Sequence, residues 1–181
     1  PRDIVLVLDA SSSMEEAAPG TLGTKLDAAR AAARAFLERI ELENAAGVRD
    51  RAAIVSFNVT ATRHIGLTDR RDDLSLALEA ISSARGTRID LGIRAAEAAL
   101  ADRRPEAVPV VIVLSDGLQS DGDADAVRAA ATELRAVAPD LVVFTIGLGA
   151  QIDAALLREV ATTPDGYYES PTAAELEEIY R

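Results

Sequence analysis

The sequence predicts a doubly wound α/β domain: a mainly parallel sheet of six strands with one short antiparallel edge strand and helices on both faces. Short continuous apolar runs recur along the chain, and segments with the periodicity of amphipathic helices lie between them. Such runs indicate parallel strands buried on both faces, since right-handed crossovers place the connecting helices on both sides of the sheet. At one place two such runs are separated by too few residues for a crossover helix. The second of the two is therefore predicted to turn back as an antiparallel strand.

The elements follow in order along the chain. The first run, residues 4–8, is rich in β-branched residues and ends abruptly at Asp9, and the same pattern predicts strands over 52–57, 108–114 and 141–146. Helical periodicity predicts helices over 25–42, 72–81, 90–101, 123–137 and 153–160. Segment 60–67 is the predicted edge strand, with Arg63 and His64 suited to a solvated edge, and 166–168 is the predicted last strand. A closing helix is predicted to begin at Thr172 and to contain Leu176, Ile179 and Tyr180.

Composition limits the functions that this chain can perform. Its 181 residues, 49% hydrophobic and 27% charged, are typical of one soluble domain. The net charge of -11 disfavours nucleic acid and anionic lipid as partners, so we expect no membrane contact by this domain. With no cysteine and one histidine, the chain excludes thiol catalysis and zinc sites built from several cysteines or imidazoles.

Oxygen-bearing side chains are predicted to converge at the carboxyl ends of the strands, where open α/β sheets bind their ligands. Asp9, Ser11 and Ser13 alternate after the first strand, so their side chains point the same way in an extended loop. Asp116 follows the strand 108–114, and the flexible Gly86 precedes Thr87 in a loop that reaches the same edge. Five hard oxygen donors without nitrogen or sulfur favour Mg²⁺, Mn²⁺ or Ca²⁺.

With these residues the sequence resembles the von Willebrand factor A domain family, which includes the integrin I domains. The family's metal-ion-dependent adhesion site (MIDAS) consists of Asp-x-Ser-x-Ser, a loop Thr and a later Asp, and Asp9, Ser11, Ser13, Thr87 and Asp116 match these positions in order. Many members have Gly and Thr where this chain has Ser12 and Ser115, but neither change removes a ligand. The resemblance implies a single domain over 1–181, and because the first strand begins almost at Pro1 we expect it to come from a longer protein.

The function implied by the resemblance is metal-dependent protein binding. A divalent cation, Mg²⁺ by expectation with Mn²⁺ or Ca²⁺ as alternatives, would coordinate a Glu or Asp carboxylate of a partner protein, and no catalytic residue is implied. The alternative is a Mg²⁺-dependent phosphoryl-transfer or hydrolytic enzyme that uses the same oxygens. Phosphatases with an aspartate nucleophile need a second Asp two residues after the first, where this chain has Ser11, which disfavours that alternative. We expect the isolated domain to be a monomer. The sequence leaves open whether its role is adhesion or scaffolding. It also leaves open whether the domain is extracellular or membrane-tethered on the one hand, or cytoplasmic on the other.

Other patterns have simpler interpretations. Asp121, Asp123 and Asp125 alternate as in a calcium loop, but the required Gly and Glu are replaced, so helix capping or an acidic rim beside Glu15 and Glu16 is the better interpretation. The Gly-x-Gly at 147–149 lacks the third glycine of a dinucleotide site. His64 is predicted to be an ordinary edge residue, and of Tyr167 and Tyr168 one is predicted to lie in the core and one at the surface.

Overall fold

A computed structural model of the chain describes residues 1–18, 22–42, 47, 49–120, 124–149 and 152–170. The described strands, β1 to β6 in chain order, are Arg2–Asp9, Arg51–Phe57, Ala61–Thr68, Val108–Ser115, Val142–Leu148 and Tyr167–Ser170. The described helices, α1 to α5, are Lys25–Arg39, Arg71–Glu79, Ile89–Leu100, Ala124–Arg135 and Ala154–Val160. Two short 3₁₀ helices span Ser12–Glu15 and Pro164–Gly166.

The strands form one sheet in the order β3-β2-β1-β4-β5-β6. Neighbouring strands are parallel except for β2 and β3, which are antiparallel and have a bulge in their register. The chain leaves β1 toward β2 and β3 and then returns to form β4 on the other side of β1. The sheet therefore has its topological switch point between β1 and β4, where ligands of such folds bind.

The predicted fold class is confirmed, with small corrections to individual elements. The edge strand β3 has eight residues, as many as β1. Helix α1 ends at Arg39, three residues earlier than predicted, because Ile40 adopts an extended backbone. The predicted closing helix at Thr172, Leu176, Ile179 and Tyr180, and the residues Asp121 and Asp123, lie outside the described residues.

The alternation of side chains along the strands divides the core into two layers. Ile4, Leu6 and Leu8 face helices α1 and α2, whereas Val5 and Val7 face helices α3, α4 and α5. All five of these β1 side chains are buried, which confirms that β1 is a central strand. Among the described residues, no helix has both the length and the apolarity needed to cross a bilayer.

The amino end of β1 carries a buried ionic cluster that the sequence patterns did not predict. The carboxylate of Asp3 is fully buried and accepts hydrogen bonds from Arg51 Nη2 at 2.7 Å and Arg104 Nη2 at 2.6 Å. Burial by itself would raise the pKa of Asp3, but the hydrogen bonds from the two arginines outweigh it and lower that pKa. The cluster fixes the sheet at the end opposite to Asp9.

Candidate metal site

Asp9 is the last residue of β1, and its carboxylate is completely buried at the switch point. Its Oδ1 accepts a hydrogen bond from the backbone N–H of Ser11 at 2.8 Å, and its Oδ2 accepts one from the hydroxyl of Ser115 at 2.6 Å. Burial raises the pKa of Asp9 to about 6, although these hydrogen bonds act in the opposite direction. A buried carboxylate of this kind is stabilised by a nearby positive charge.

The hydroxyls of Ser11 and Ser13 converge on the carboxylate of Asp116. The two hydroxyl oxygens lie 2.9 Å apart, and Ser13 donates a hydrogen bond to Asp116 Oδ1 at 2.7 Å. Ser11 Oγ lies 3.4 Å from the same carboxylate oxygen. The intervening Ser12 is the first residue of the 3₁₀ turn and is exposed. Residues that are 105 positions apart in the chain are therefore brought into direct contact.

Thr87 lies at the border of the site, next to Gly117 in the loop that follows Asp116. A methyl group added to Gly117 would lie 3.7 Å from Thr87 Oγ1, and the Thr87 side chain is largely buried. Gly86 has a φ of +85°, and a Cβ there would approach the backbone of Val59 to 3.2 Å, so this position requires glycine. Within the described part of the chain, the Thr87 hydroxyl makes no hydrogen bond to the other four predicted side chains, and it lies beside them at the edge of the cluster.

A pair of hydrogen bonds joins the Thr87 loop to the loop after β4. The backbone N–H of Thr87 donates to Ser120 Oγ at 2.7 Å, and the N–H of Ser120 donates to the carbonyl of Thr87 at 2.9 Å. Gln119 adds a second connection, because it accepts from the N–H of Ile89 and donates to the carboxylate of Asp90. The sequence analysis did not identify Ser120 and Gln119, since only the tertiary structure brings these two loops together.

Lys25 is a charged residue of this cluster that the sequence analysis did not identify. Its Nζ lies 2.9 Å from Asp116 Oδ2 and 2.7 Å from Glu16 Oε2. Burial would lower the pKa of Lys25, but its contacts with Glu16 and Asp116 outweigh burial and raise it. The signal was present in the sequence, because Lys25 is the only lysine among 181 residues and stands at the start of a predicted helix, where a cation is unfavourable.

The other charged residues noted in the sequence lie outside this cluster or at its margin. Glu15 and Glu16 are exposed; Glu15 accepts a hydrogen bond from Ser83, and Glu16 contacts Lys25. His64 is half-buried, its Nε2 lies 2.8 Å from the hydroxyl of Ser56, and burial lowers its pKa. His64 thus lies on the edge strand β3, as predicted, and its side chain contacts the neighbouring strand β2.

Of the two adjacent tyrosines on β6, Tyr167 is buried and Tyr168 is exposed, as predicted.

The chemistry of this cluster is that of a hard-cation site with few charges. In the described part of the chain, no group of three or more His, Asp and Glu side chains is placed to hold a metal. A cation at this point would therefore depend on two carboxylates together with serine and threonine hydroxyls. Oxygen ligands of this type suit Mg²⁺, Mn²⁺ and Ca²⁺.

Comparison with known proteins identifies the family. Residues 3–181 match the family model of the von Willebrand factor type A domain. The chain belongs to this family. The resemblance that the sequence motifs indicated is thus confirmed over nearly the whole chain.

Relatives of this family member differ in length and source. The chain is 28% identical to the uncharacterized protein sll0103 of Synechocystis sp., in a match that covers 96% of this chain and 39% of that protein. The chain thus spans about two fifths of the length of this curated relative.

Two solved structures show the same fold. A structure of proximal thread matrix protein 1 from the mussel byssus, with a zinc-occupied MIDAS motif, has a TM-score of 0.80 at 23% identity, covering 99% of this chain and 43% of that one. The pilus adhesin SpaC of Lactobacillus rhamnosus GG, in an open conformation, has a TM-score of 0.81 at 17% identity, covering 99% and 29%. Domains of this fold therefore occur in a matrix protein and in an adhesin, and neither name denotes an enzyme.

Proposed function

We propose that this domain is a metal-dependent protein-binding module. In this proposal Asp9, Ser11, Ser13, Thr87 and Asp116 hold a divalent cation, Mg²⁺ or Mn²⁺, and the cation binds a Glu or Asp carboxylate of a partner protein. The observation that carries the proposal is the contact of the Ser11 and Ser13 hydroxyls with Asp116 Oδ1, together with the buried Asp9, which accepts a hydrogen bond from the N–H of Ser11. The zinc-occupied MIDAS of the byssus protein, which has the same fold, supports it.

The charges of the chain's own residues explain why such a site would accept an acidic ligand. The hydroxyls of Ser11, Ser13 and Thr87 are neutral, and Lys25 already compensates part of the negative charge of Asp116. A bound divalent cation would therefore keep uncompensated positive charge and attract a further carboxylate. The net charge of -11 opposes this at longer range, so we expect the partner's acid to stand among neutral or basic residues.

The first test is metal binding by isothermal titration calorimetry. We expect the wild type to bind Mg²⁺ or Mn²⁺ and Asp116→Ala to bind much more weakly, because that change removes a negative charge and the acceptor that orients Ser13. Asp125→Ala is the matched control, since this aspartate is 85% exposed on α4 and pairs at the surface with Arg128. Equal binding by the wild type and Asp116→Ala would refute the assignment.

The second test concerns the carboxylate of the partner. Peptides displayed on phage would be selected on the domain in Mg²⁺ and eluted with EDTA, and each recovered Glu or Asp would then be replaced by Gln or Asn. We expect one acid in each peptide to be essential, because it supplies the ligand of the cation. Binding that persists in EDTA, or after every acid has been neutralised, would refute metal-dependent recognition.

The enzyme alternative makes an opposite prediction. We expect no turnover of generic phosphate or carboxyl esters with Mg²⁺, since position 11 carries a serine hydroxyl that is bonded to Ser13 and lies next to Asp116. Metal-dependent turnover that is abolished by Ser11→Ala would instead support an enzyme.

That residues 1–181 form one module of a longer protein stays a prediction.

A further inference from the structure

The carboxylate of Asp116 is shared between two different environments. Its Oδ1 faces the hydroxyls of Ser11 and Ser13, at 3.4 and 2.7 Å, whereas its Oδ2 contacts the ammonium group of Lys25 at 2.9 Å. The side chain of Asp116 is 0% exposed and that of Lys25 is 14% exposed, so water screens this ion pair poorly. A permanent positive charge is thus built into the candidate metal site.

The position of Lys25 in helix α1 is unfavourable for a cation by itself. Lys25 is the first residue of α1, whose amino end carries the positive end of the helix dipole. The neighbouring residues follow the usual preference, because Thr24 and Asp27 form a capping box that accepts from the free N–H groups. Glu16 and Asp116 offset the cost of placing a partly buried ammonium group here, so the lysine is an integral part of the site.

We propose that Lys25 is an internal competitor of the divalent cation: its ammonium group neutralises Asp116 in the metal-free protein and weakens metal binding at the same carboxylate. This inference rests on the proposed metal site. A cation held through the Oδ1 side of Asp116 would meet a like charge on the other oxygen of the same group. We expect this repulsion to be strong because Asp116 is fully buried and the Lys25 side chain is only 14% exposed, so water screens the charges poorly. Lys25 therefore keeps the metal-free domain stable at the expense of metal affinity.

The test compares three proteins by calorimetry with Mg²⁺ and Mn²⁺ and by thermal melting in EDTA. Lys25→Met retains the length and apolar stem of the side chain but removes its charge. We expect it to bind the cations at least tenfold more tightly than the wild type and to melt at a lower temperature in EDTA. Arg34→Met is the matched control, because it removes one positive charge from the same helix at a surface pair with Glu79, and we expect unchanged affinity.

Two outcomes separate this inference from the function on which it rests. If the wild type and Lys25→Met bind the cations equally, or if the variant binds more weakly, the competition is refuted while the metal site stands. If neither protein binds Mg²⁺ or Mn²⁺, the metal site is wrong and the inference is refuted with it. A lower melting temperature without tighter binding shows a purely structural lysine and also refutes the proposal.

A measurement on the wild type does not depend on how a variant folds. Lys25 is the only lysine in the sequence, so isotope labelling with ¹³C,¹⁵N-lysine gives one Cε and one Nζ signal. We expect saturating Mg²⁺ to shift both signals as the contact with Asp116 weakens, and Mn²⁺ to broaden them by paramagnetic relaxation. Lysine signals that stay unchanged at Mg²⁺ concentrations that saturate the calorimetric titration would overturn the proposal.

Discussion

Replacing Asp9 by asparagine is expected to stabilise the metal-free protein while it removes the response to divalent cations. The Asp9 carboxylate is completely buried at the carboxyl end of β1, and its burial raises its pKa to about 6. An ionised group in that place costs folding free energy, which a bound cation would compensate. Asparagine has nearly the same shape and carries no charge, so most of the cost is removed together with one of the proposed ligands of the metal.

The magnitude follows from the difference between the folded and unfolded pKa of Asp9. A folded pKa of about 6, above the ordinary value of 3.8, means that the folded state binds this proton more tightly than the unfolded state does. The favourable contribution of the Asp9 carboxyl group to the free energy of unfolding is then fully present below pH 3.8 and is lost as the pH rises through 6. At about 1.4 kcal/mol per pKa unit, the ionised group costs about 3 kcal/mol at neutral pH.

Asparagine should recover most of this cost but not all of it. One carboxylate oxygen becomes an NH₂ group, so the hydroxyl of Ser115, which now donates to Asp9 Oδ2, must turn and accept. We therefore expect the free energy of unfolding to rise by about 2 kcal/mol at pH 7.5, and the Tm by about 4–8 °C. At pH 4 the wild-type carboxyl group is protonated in the folded state, and the advantage of the variant should nearly vanish.

The assay is urea unfolding in EDTA at pH 7.5 and pH 4, with thermal melts in Mg²⁺ as a second measurement. Asp125→Asn is the control, because this exposed aspartate should change stability by no more than about 0.5 kcal/mol. The reasoning is refuted if Asp9→Asn is less stable than the wild type at pH 7.5, or if its gain is the same at both pH values.

Three further variants test other parts of the structure. Asp3→Asn should lower the free energy of unfolding by about 3 kcal/mol in urea titrations, since it breaks a buried carboxylate–arginine cluster. Because the pKa of Asp3 is lowered in the folded state, the wild type should lose this contribution as the pH falls below 3.8. Gly92→Ala should cost about 1–3 kcal/mol by the same assay, despite alanine's preference for helices, because its Cβ would lie 2.6 Å from the ring of Phe57. Ser120→Ala should weaken calorimetric Mg²⁺ affinity by about tenfold, since the N–H of Thr87 loses its acceptor; unchanged affinity would contradict the positioning of Thr87 by this loop.

The sequence by itself determined the fold class and the composition of the candidate site. Apolar runs and helical periods are local patterns, and each reports the faces that its own segment must bury, so the strands and the α/β order could be predicted. Asp9, Ser11 and Ser13 could be chosen for the same reason, because their alternation acts within one loop. The boundaries of the helices were less well determined: α1 ends at Arg39 because the backbone of Ile40 becomes extended, which no local pattern had indicated.

Only the tertiary structure decided which residues meet across the sheet. Lys25 contacts Asp116, which is 91 residues away, and Ser115 contacts Asp9, which is 106 residues away. The buried Asp3 cluster at the opposite end of β1 has the same character. Such pairs depend on strand order and on the packing of loops, and their energies depend on burial, which a sequence pattern does not encode. The candidate oxygen ligands could thus be chosen from patterns within separate segments of the sequence, whereas the charge balance at that site is a property of the folded protein.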